Sequence, residues 1–329
     1  KIKKINIKSA TFEALYGGMS YLTFIAGLAI LIVGGNFLVK GGVSLAGRFR
    51  ISTLVVGLTV ISFGTSAPEL VVSLNAALEG YPDISIGNVV GSNVSNIGLV
   101  LGITALIIAI PIKNRSVFFD WIVMFVASIL FFFFAATGEN ELQRWEGIIF
   151  LSLLIIYIVY SIRKSRQTAN TEPVHSPKLS LWASLLLVLA GPALLVVGSH
   201  FMIQGATVIA QAWGVSERVI SITIIAFGTS VPELATSVVA AAKKELDISV
   251  GNIIGSNIFN LLGILGTTAI VTPIKVNEEI IRFDFWWMLG ICILLLLFML
   301  PVKRARLNRM NGFILVAVYL VYYYFVFIS

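Results

Sequence analysis

The chain contains the stretch FGTSAPEL at residues 63–70 and repeats it, with one change, as FGTSVPEL at residues 227–234. The two copies are 164 residues apart in a chain of 329 residues. Each copy lies in an apolar run long enough to cross a membrane, and each places a glutamate there, Glu69 or Glu233. A carboxylate in hydrocarbon is costly and is usually present because it binds something. The repeat therefore predicts two related halves that share one site.

The composition is that of a membrane protein. Hydrophobic residues make up 58% of the chain and charged residues 12%, whereas soluble domains contain about 25% charged residues. A soluble globule would need a polar surface that this chain lacks, so the sequence predicts an all-α integral membrane protein. The net charge of +7 comes largely from short loops, where it sets topology, and does not indicate a nucleic-acid partner.

Ten segments are apolar over about the 20 residues that a spanning helix needs. They cover residues 20–47, 53–79, 84–110, 117–137, 145–162, 180–212, 217–242, 248–272, 284–301 and 311–328. The stretch 163–178 is rich in basic and polar residues and contains two prolines, which predicts a solvated linker. The predicted domains are a basic N-terminal segment (1–18), a first five-helix repeat (19–162), the linker (163–178) and a second repeat (179–329).

The polar residues of the two halves match in a fixed register. DISIGN at residues 83–88 matches DISVGN at 247–252, and the triplet Gly-Ser-Asn at 91–93 recurs at 255–257, again 164 residues later. Chance similarity between apolar sequences would not preserve polar residues in register. Because each half has five spans, the second half must enter the membrane with the opposite orientation, a pattern typical of secondary transporters.

Basic residues predict the orientation. The loops after the first, third, fifth, seventh and ninth spans hold 14 Lys and Arg residues, and the loops on the other side hold 4. The positive-inside rule places the first group, with the linker 163–178, in the cytoplasm and both termini outside the cell. The four lysines among residues 1–8 argue for the opposite orientation.

The repeated GTSxPE element predicts a break in the second and seventh helices. Proline lacks an N–H and disrupts the turn before it, so we expect freed carbonyls near residues 62–65. Thr65 and Glu69 are four residues apart and share a helix face. The resulting hydroxyl, carbonyl and carboxylate oxygens suit Ca²⁺ and Na⁺. The alternative is a kinked helix whose Ser and Thr residues only bind neighbouring helices. The corresponding residues of the second copy are Ala226, Thr229, Ser230 and Glu233.

A second repeated element, GNxxGSNxxN, covers residues 87–96 and 251–260 and predicts polar, broken third and eighth helices. In each copy the serine and the last asparagine are four residues apart and face the same side. These residues are Ser92, Asn96, Ser256 and Asn260. The other asparagines are predicted to face other helices and to support the ion ligands. The alternative is a packing seam with hydrogen-bonded amides.

The charges of the two glutamates limit what such a site can hold. Two negative charges are neutralised by one Ca²⁺ or by two or more Na⁺, so the ions would compete for the same carboxylates. An empty site would leave like charges close together in a low dielectric, so the carrier should protonate or resist moving while empty.

Both repeated elements resemble the alpha-repeats of the cation/Ca²⁺ exchanger superfamily, and those of prokaryotic Na⁺/Ca²⁺ exchangers in particular. The resemblance covers essentially all ten spans. It implies electrogenic exchange, with helices 1 and 6 sliding as a unit across the other eight. The glycines of these two helices are equally consistent with ordinary close packing. By the same resemblance, Ca²⁺ would be held by Glu69, Glu233, Thr65 and Thr229. The Na⁺ sites would add Ser66, Ser92, Ser230, Ser256 and the carbonyls of Ser62 and Ala226, with Asn96 and Asn260 lining the centre.

The sequence departs from two branches of that superfamily. Asn260 stands where some relatives, including K⁺-dependent ones, have aspartate, and the H⁺-coupled branch has GNxxE in place of GTSxPE. We therefore expect a Na⁺-driven Ca²⁺ antiporter of the cell membrane, with Ca²⁺ and Na⁺ as substrates and no organic cofactor. The alternatives are divalent-cation antiport coupled to H⁺ or K⁺, and a cation channel. An enzyme is not expected, because no nucleophile–base pair or metal-binding histidine cluster is present in the sequence.

Two further carboxylates, Asp120 and Asp284, are also related by the repeat. We expect them to open the fourth and ninth helices, where the helix dipole favours a negative charge.

Overall fold

The computed structural model describes residues 7–112, 115–137, 140–169, 179–215, 226–300 and 306–328. The described chain is almost entirely helical. Its α-helices are α1 Ile7–Phe49, α2 Thr53–Val56, α3 Ser62–Thr65, α4 Ala67–Leu78, α5 Pro82–Ser95, α6 Gly102–Ile107, α7 Arg115–Thr137, α8 Arg144–Ala169, α9 Leu181–Ala212, α10 Ala226–Gly228, α11 Val231–Ala242, α12 Leu246–Ile258, α13 Leu265–Val271, α14 Phe285–Met299 and α15 Arg309–Ile328. The π-helical segments are π1 Gly57–Ile61, π2 Asn96–Leu101, π3 Phe259–Ile264 and π4 Ile280–Asp284. The short strands are β1 Ile110–Pro111, β2 Glu141–Leu142, β3 Ile274–Lys275 and β4 Arg306–Leu307.

The protein is an all-α, multi-pass membrane protein. Within the described ranges, eight helices are long and apolar enough to cross a membrane, and a bent pair, residues 53–65 with 67–78, makes a ninth. The shorter apolar helix α11 covers the second part of the predicted span 217–242. Residues 217–225 of that span lie outside the described residues, so the tenth span stays a prediction.

The fifth predicted span is longer than its hydropathy indicates. Helix α8 continues to Ala169, so residues 163–169, predicted to be a solvated linker, are helical. Ser165 in this extension is buried, and its hydroxyl accepts the Ser52 N–H at 2.7 Å. Basic residues also suit the last turn of a helix, so the charges end the apolar run without ending the helix. At the other end of the chain, α1 begins at Ile7, inside the segment predicted to precede it.

Asp120 and Asp284 do not occupy the first turns predicted for them. Asp120 is the sixth residue of α7 and Asp284 ends π4. Asp120 accepts a hydrogen bond from the Tyr157 hydroxyl at 2.9 Å. Asp284 accepts one from the Tyr322 hydroxyl, also at 2.9 Å. Each aspartate therefore ties the fourth helix of its half to the fifth.

Helices α1 and α9 lie side by side and run antiparallel. A Cβ atom added to Gly34 would lie 2.9 Å from the Gly191 carbonyl oxygen, and one added to Gly205 would lie 2.8 Å from that of Ser20. Early residues of α1 thus face late residues of α9. Only glycine allows such close backbone approach between helices.

Two strand pairs connect the halves at opposite ends of α7. Strand β1 pairs antiparallel with β4, and β2 pairs antiparallel with β3. Strands β1 and β2 flank α7, whose 23 residues span about 35 Å at 1.5 Å per residue. Although β1 and β3 are equivalent in the repeat, they lie at opposite ends of this helix.

The last helix of each half packs on the third helix of the other half. A Cβ atom on Gly102 in α6 would lie 3.1 Å from the Gly312 carbonyl oxygen in α15. A Cβ atom on Gly147 in α8 would lie 2.7 Å from the Gly266 carbonyl oxygen in α13. This crossed packing encloses α5–π2 and α12–π3 in the largest apolar cluster, which places their polar residues at the centre of the molecule.

Candidate ion-binding site

The two glutamate helices begin at equivalent breaks. Ser66, just before α4, has φ −88° and ψ 7°, and Ser230, just before α11, has φ −85° and ψ −1°. Pro68 and Pro232 lie in the first turn of these helices, where a missing N–H is tolerated. At Ser66 the helix axis bends by 47°. The predicted breaks of helices 2 and 7 are thus present.

The third and eighth helices are not broken as predicted. Residues 82–107 and 246–271 each form one continuous span, with a π-helical turn that starts at Asn96 in the first half and includes Asn260 in the second. The GNxxGSNxxN element contains no proline. Each helix therefore contains one wider, π-helical turn but continues as a single span. Such turns are frequent at functional sites.

Of the carbonyls predicted to be freed near residues 62–65, that of Ser62 is not free. It accepts the Ser66 N–H at 2.9 Å and lies 3.3 Å from the Thr65 hydroxyl oxygen. The Ser62 hydroxyl donates to the Leu58 carbonyl at 2.8 Å. The carbonyl that loses a helical donor is that of Gly64, because the residue four positions later is proline.

The two glutamates are fully buried and interact electrostatically. Oε1 of Glu233 accepts the Ser66 hydroxyl at 3.0 Å and lies 3.5 Å from the Ser256 hydroxyl oxygen. Because Ser66 is three residues before Glu69, this bond joins the two glutamate helices across the halves. Oε2 of Glu233 and both carboxylate oxygens of Glu69 accept no hydrogen bond from another described residue. Three buried carboxylate oxygens thus stay available to a cation.

The two central asparagines differ in their partners. Neither amide atom of Asn96 has a hydrogen-bond partner among the described residues, although its side chain is fully buried. Nδ2 of Asn260 donates to Oδ1 of Asn93 at 3.1 Å, and its own Oδ1 has no described partner. Ser92 and Ser256, one turn earlier on the same faces, are buried as well.

The two threonines of the GTSxPE copies have different environments. Thr65 is fully buried; its hydroxyl donates to Oδ1 of Asn252 at 3.0 Å and lies 3.4 Å from that of Ser256. Thr229 is partly exposed. Ser230 is buried, and Ala226 begins the short helix α10. The equivalent threonines therefore differ in burial, whereas the serines that follow them are buried in both copies.

Two asparagines hold the glutamate helices in the same way. Nδ2 of Asn88 donates to the Glu69 carbonyl at 3.2 Å and to the Ser73 hydroxyl at 2.8 Å. Nδ2 of Asn252 donates to the Glu233 carbonyl at 3.4 Å and to the Ser237 hydroxyl at 3.0 Å. Sequence reasoning missed both serines. Their spacing of 164 residues, the offset of the repeat, is the signal that could have identified them.

The candidate site is made of hard oxygen donors: buried carboxylates, hydroxyls and amide oxygens. Such ligands suit alkali and alkaline-earth ions better than soft metals. The side chains come from both halves, on helices enclosed by the core.

Comparisons with known proteins agree with this arrangement. The family model of the sodium/calcium exchanger protein matches residues 19–163 and 183–328. CaxA of Alkalimonas amylolytica is 35% identical over 93% of this chain and 98% of that protein. Sodium/calcium exchanger MaX1 of Methanosarcina acetivorans is 28% identical over 92% of this chain and 97% of that protein.

A solved structure has the same fold. The sodium-calcium exchanger NCX_Mj, soaked with zero Na⁺ and Ca²⁺, matches with a TM-score of 0.78 and 32% identity, over 92% of this chain and 97% of that chain. With family matches across both halves, this chain belongs to the sodium/calcium exchanger family of cation transporters.

Proposed function

We propose that the protein is a Na⁺-driven Ca²⁺ antiporter that works by alternating access. The observation that carries the proposal is the pair Glu69 and Glu233: one carboxylate from each half, both fully buried, with three oxygens that accept no bond from another described residue. Burying uncompensated carboxylates is expensive, which favours a role as cation ligands. The sodium/calcium exchange named for MaX1 and NCX_Mj supports the same conclusion.

The proposed exchange of Na⁺ for Ca²⁺ follows from the charge of the two glutamates. Two carboxylates form a site of charge −2, which is neutralised by one Ca²⁺ or by two Na⁺. Both ions need the same oxygens, so they occupy the site in turn. An empty site brings like charges together in a low dielectric, which disfavours movement of the unloaded carrier.

The proposed ligands keep the roles that the family resemblance implies. Ca²⁺ is assigned to Glu69, Glu233, Thr65 and Thr229. Na⁺ is assigned in addition to Ser66, Ser92, Ser230, Ser256 and the carbonyls of Ser62 and Ala226, with Asn96 and Asn260 at the centre. Among these, the Ser62 carbonyl is the weakest ligand, because a backbone N–H already occupies it.

The proposed topology is ten helices in two inverted five-helix halves, with α11 completing the seventh span. The antiparallel packing of α1 and α9 supports it, because these are the first helices of the two halves. The crossed strand pairs support it too. They put the loops after spans 3 and 9 at one end and those after spans 4 and 8 at the other, as the distribution of basic residues predicts. In this topology the linker is cytoplasmic and both termini are extracellular.

A flux assay tests the function. Purified protein in liposomes should take up labelled Ca²⁺ when an outward Na⁺ gradient is imposed, and should not do so with H⁺ or K⁺ gradients of equal size. Glu69→Gln and Glu233→Gln should each abolish this uptake while the protein still folds. Uptake driven by H⁺ or K⁺ would assign the alternative coupling ion.

Two further results would overturn the proposal. Ca²⁺ flux that needs no counter-ion gradient would identify a channel. Normal exchange by either glutamate variant would remove that carboxylate from the site.

A further inference from the structure

Two asparagines outside the proposed ligand set bind each other across the halves. Nδ2 of Asn93 donates to the Asn257 carbonyl at 3.5 Å, and Nδ2 of Asn257 donates to the Asn93 carbonyl at 3.3 Å. Both side chains are buried. The residues are equivalent in the repeat, so the reciprocal bonds join matching turns of α5 and α12 where the halves meet.

Methionine sulfurs determine which way these two amides point. Nδ2 of Asn93 lies 3.7 Å from Sδ of Met288, and Nδ2 of Asn257 lies 3.5 Å from Sδ of Met124. A backbone carbonyl and a thioether can only accept hydrogen bonds. Each amide must therefore turn its nitrogen toward the opposite half, which leaves its oxygen facing elsewhere.

The oxygen of Asn93 faces Asn260. It accepts the Asn260 Nδ2 at 3.1 Å, so the oxygen is the atom of the Asn260 amide that is left for a cation. Asn260 follows Ser256 by one helical turn, and the Ser256 hydroxyl lies 3.5 Å from Oε1 of Glu233. The Asn260 oxygen is therefore offered on the helix face that carries the proposed site.

The equivalent contact in the other half is not made. Oδ1 of Asn257 has no partner among the described residues, and neither has either amide atom of Asn96. The symmetric pair Asn257 and Asn96 could form the same bond as Asn93 and Asn260, but in this structure the bond exists on one side only.

We propose that Asn93 is a positioning residue of the ion site: it holds the Asn260 amide with its oxygen available to Ca²⁺ and its nitrogen turned away. Asn257 ties the two halves together without orienting a ligand in this state. The inference rests on the proposed function, since it assumes that the site binds Ca²⁺.

The repeat supplies a matched pair of variants. Asn93→Ala and Asn257→Ala remove the same atoms, the same bond between the halves and the same sulfur contact, but only Asn93→Ala releases Asn260. In Na⁺-driven uptake by liposomes, Asn93→Ala should raise the KM for Ca²⁺ about tenfold with kcat preserved, the size expected for one hydrogen bond that acts on a charged ligand. Asn257→Ala should raise KM by less than about twofold, below what one hydrogen bond contributes. Both should lower the unfolding temperature alike.

A double-mutant cycle separates positioning from general damage. In an Asn260→Ala background, Asn93→Ala should cause no further rise in KM, because the amide that it orients is gone. Equal KM changes in the two single variants, or additive changes in the cycle, would overturn the positioning role. If the alanine variants do not fold, Asn93→Ser and Asn257→Ser provide the same comparison. Wild-type protein that shows no Na⁺-driven uptake would refute the proposed function, whereas active wild type with indistinguishable single variants would refute only the role of Asn93.

Discussion

Replacing Glu69 by glutamine tests whether its carboxylate binds a cation or has only a structural role. The substitution keeps the size of the side chain and removes one of the two buried charges. Neither oxygen of Glu69 accepts a bond from another described residue, so no hydrogen bond to a neighbour is lost. In ion-free buffer we expect the variant to be at least as stable as the wild type, because a buried uncompensated charge is gone.

The loss of Ca²⁺ binding can be estimated. Removing one partner of a buried charge pair costs about 3–5 kcal/mol. At 1.4 kcal/mol per factor of ten, that corresponds to a fall in Ca²⁺ affinity of about 150- to 4000-fold. At a Ca²⁺ concentration of about 100 times the wild-type Kd, binding stabilises the wild-type fold by about 2.7 kcal/mol. The same concentration should stabilise the variant by less than about 0.3 kcal/mol.

Thermal unfolding of the purified full chain in Na⁺-free detergent, with and without Ca²⁺, measures this difference. Glu79→Gln is the matched control, because Glu79 caps the far end of the same helix and is exposed; that variant should keep the whole Ca²⁺ response. Glu233→Gln should lose the Ca²⁺ response too. Its ion-free stability should lie about 1–3 kcal/mol below that of Glu69→Gln, because both variants lose a buried charge but only Glu233→Gln weakens the bond from Ser66.

A Glu69→Gln variant that keeps the wild-type Ca²⁺ response would refute the reasoning, since the unpartnered oxygens would then not be ligands. An equal loss in Glu79→Gln would show that overall charge, and not the buried carboxylate, governs the response.

Two other predictions concern residues around the site, and a third concerns its centre. Tyr157→Phe removes the hydroxyl that binds a buried aspartate and should lower stability by about 1–3 kcal/mol, measured by thermal unfolding. Tyr322→Phe should cost less, because its aspartate is more exposed, and neither change should alter ion preference. Gly147→Ala puts a Cβ atom 2.7 Å from a backbone oxygen and should cost about 1–3 kcal/mol, whereas Gly290→Ala has open space and should be neutral or stabilising in the same measurement. Asn260→Asp should change the ratio of Ca²⁺ to Na⁺ affinity more than it changes stability; unchanged selectivity in the flux assay would remove this residue from the centre.

Much of the fold could be predicted because the two halves of the chain repeat the same sequence motifs. The observed helices α4 and α11 cover residues 67–78 and 231–242, and strands β1 and β3 begin at residues 110 and 274, each pair at the repeat offset of 164. The length of α8 could not be predicted, because the apolar run stops at Arg163 whereas the helix continues to Ala169. The strand pairs could not be predicted either, because two-residue strands that pair between distant loops leave no recognisable pattern in the sequence.

The polar residues of the site were conspicuous because they interrupt apolar spans. Glu69 and Glu233 stand out in this way, and the structure buries both. Ser73 and Ser237 did not stand out, because serine is common in membrane helices and only their register marks them. Freed carbonyls were predicted near residues 62–65 because proline affects the preceding turn; the Ser62 carbonyl is bonded, and the carbonyl that loses its helical donor to Pro68 is that of Gly64, within this range.

The asymmetry of the site could not be read from the sequence at all, and it has a physical meaning. Both copies contain the same Gly-Thr-Ser-x-Pro-Glu residues, yet Ser66 binds Glu233 whereas Glu69 accepts no bond from Ser230 or any other described residue. Since the residues of the motif are the same, a bond from Ser230 to Glu69 is chemically equivalent to the observed bond from Ser66 to Glu233. Under the alternating access proposed above, a carrier needs two arrangements of comparable energy, and a motif repeated around one pair of carboxylates offers two equivalent hydrogen-bond patterns.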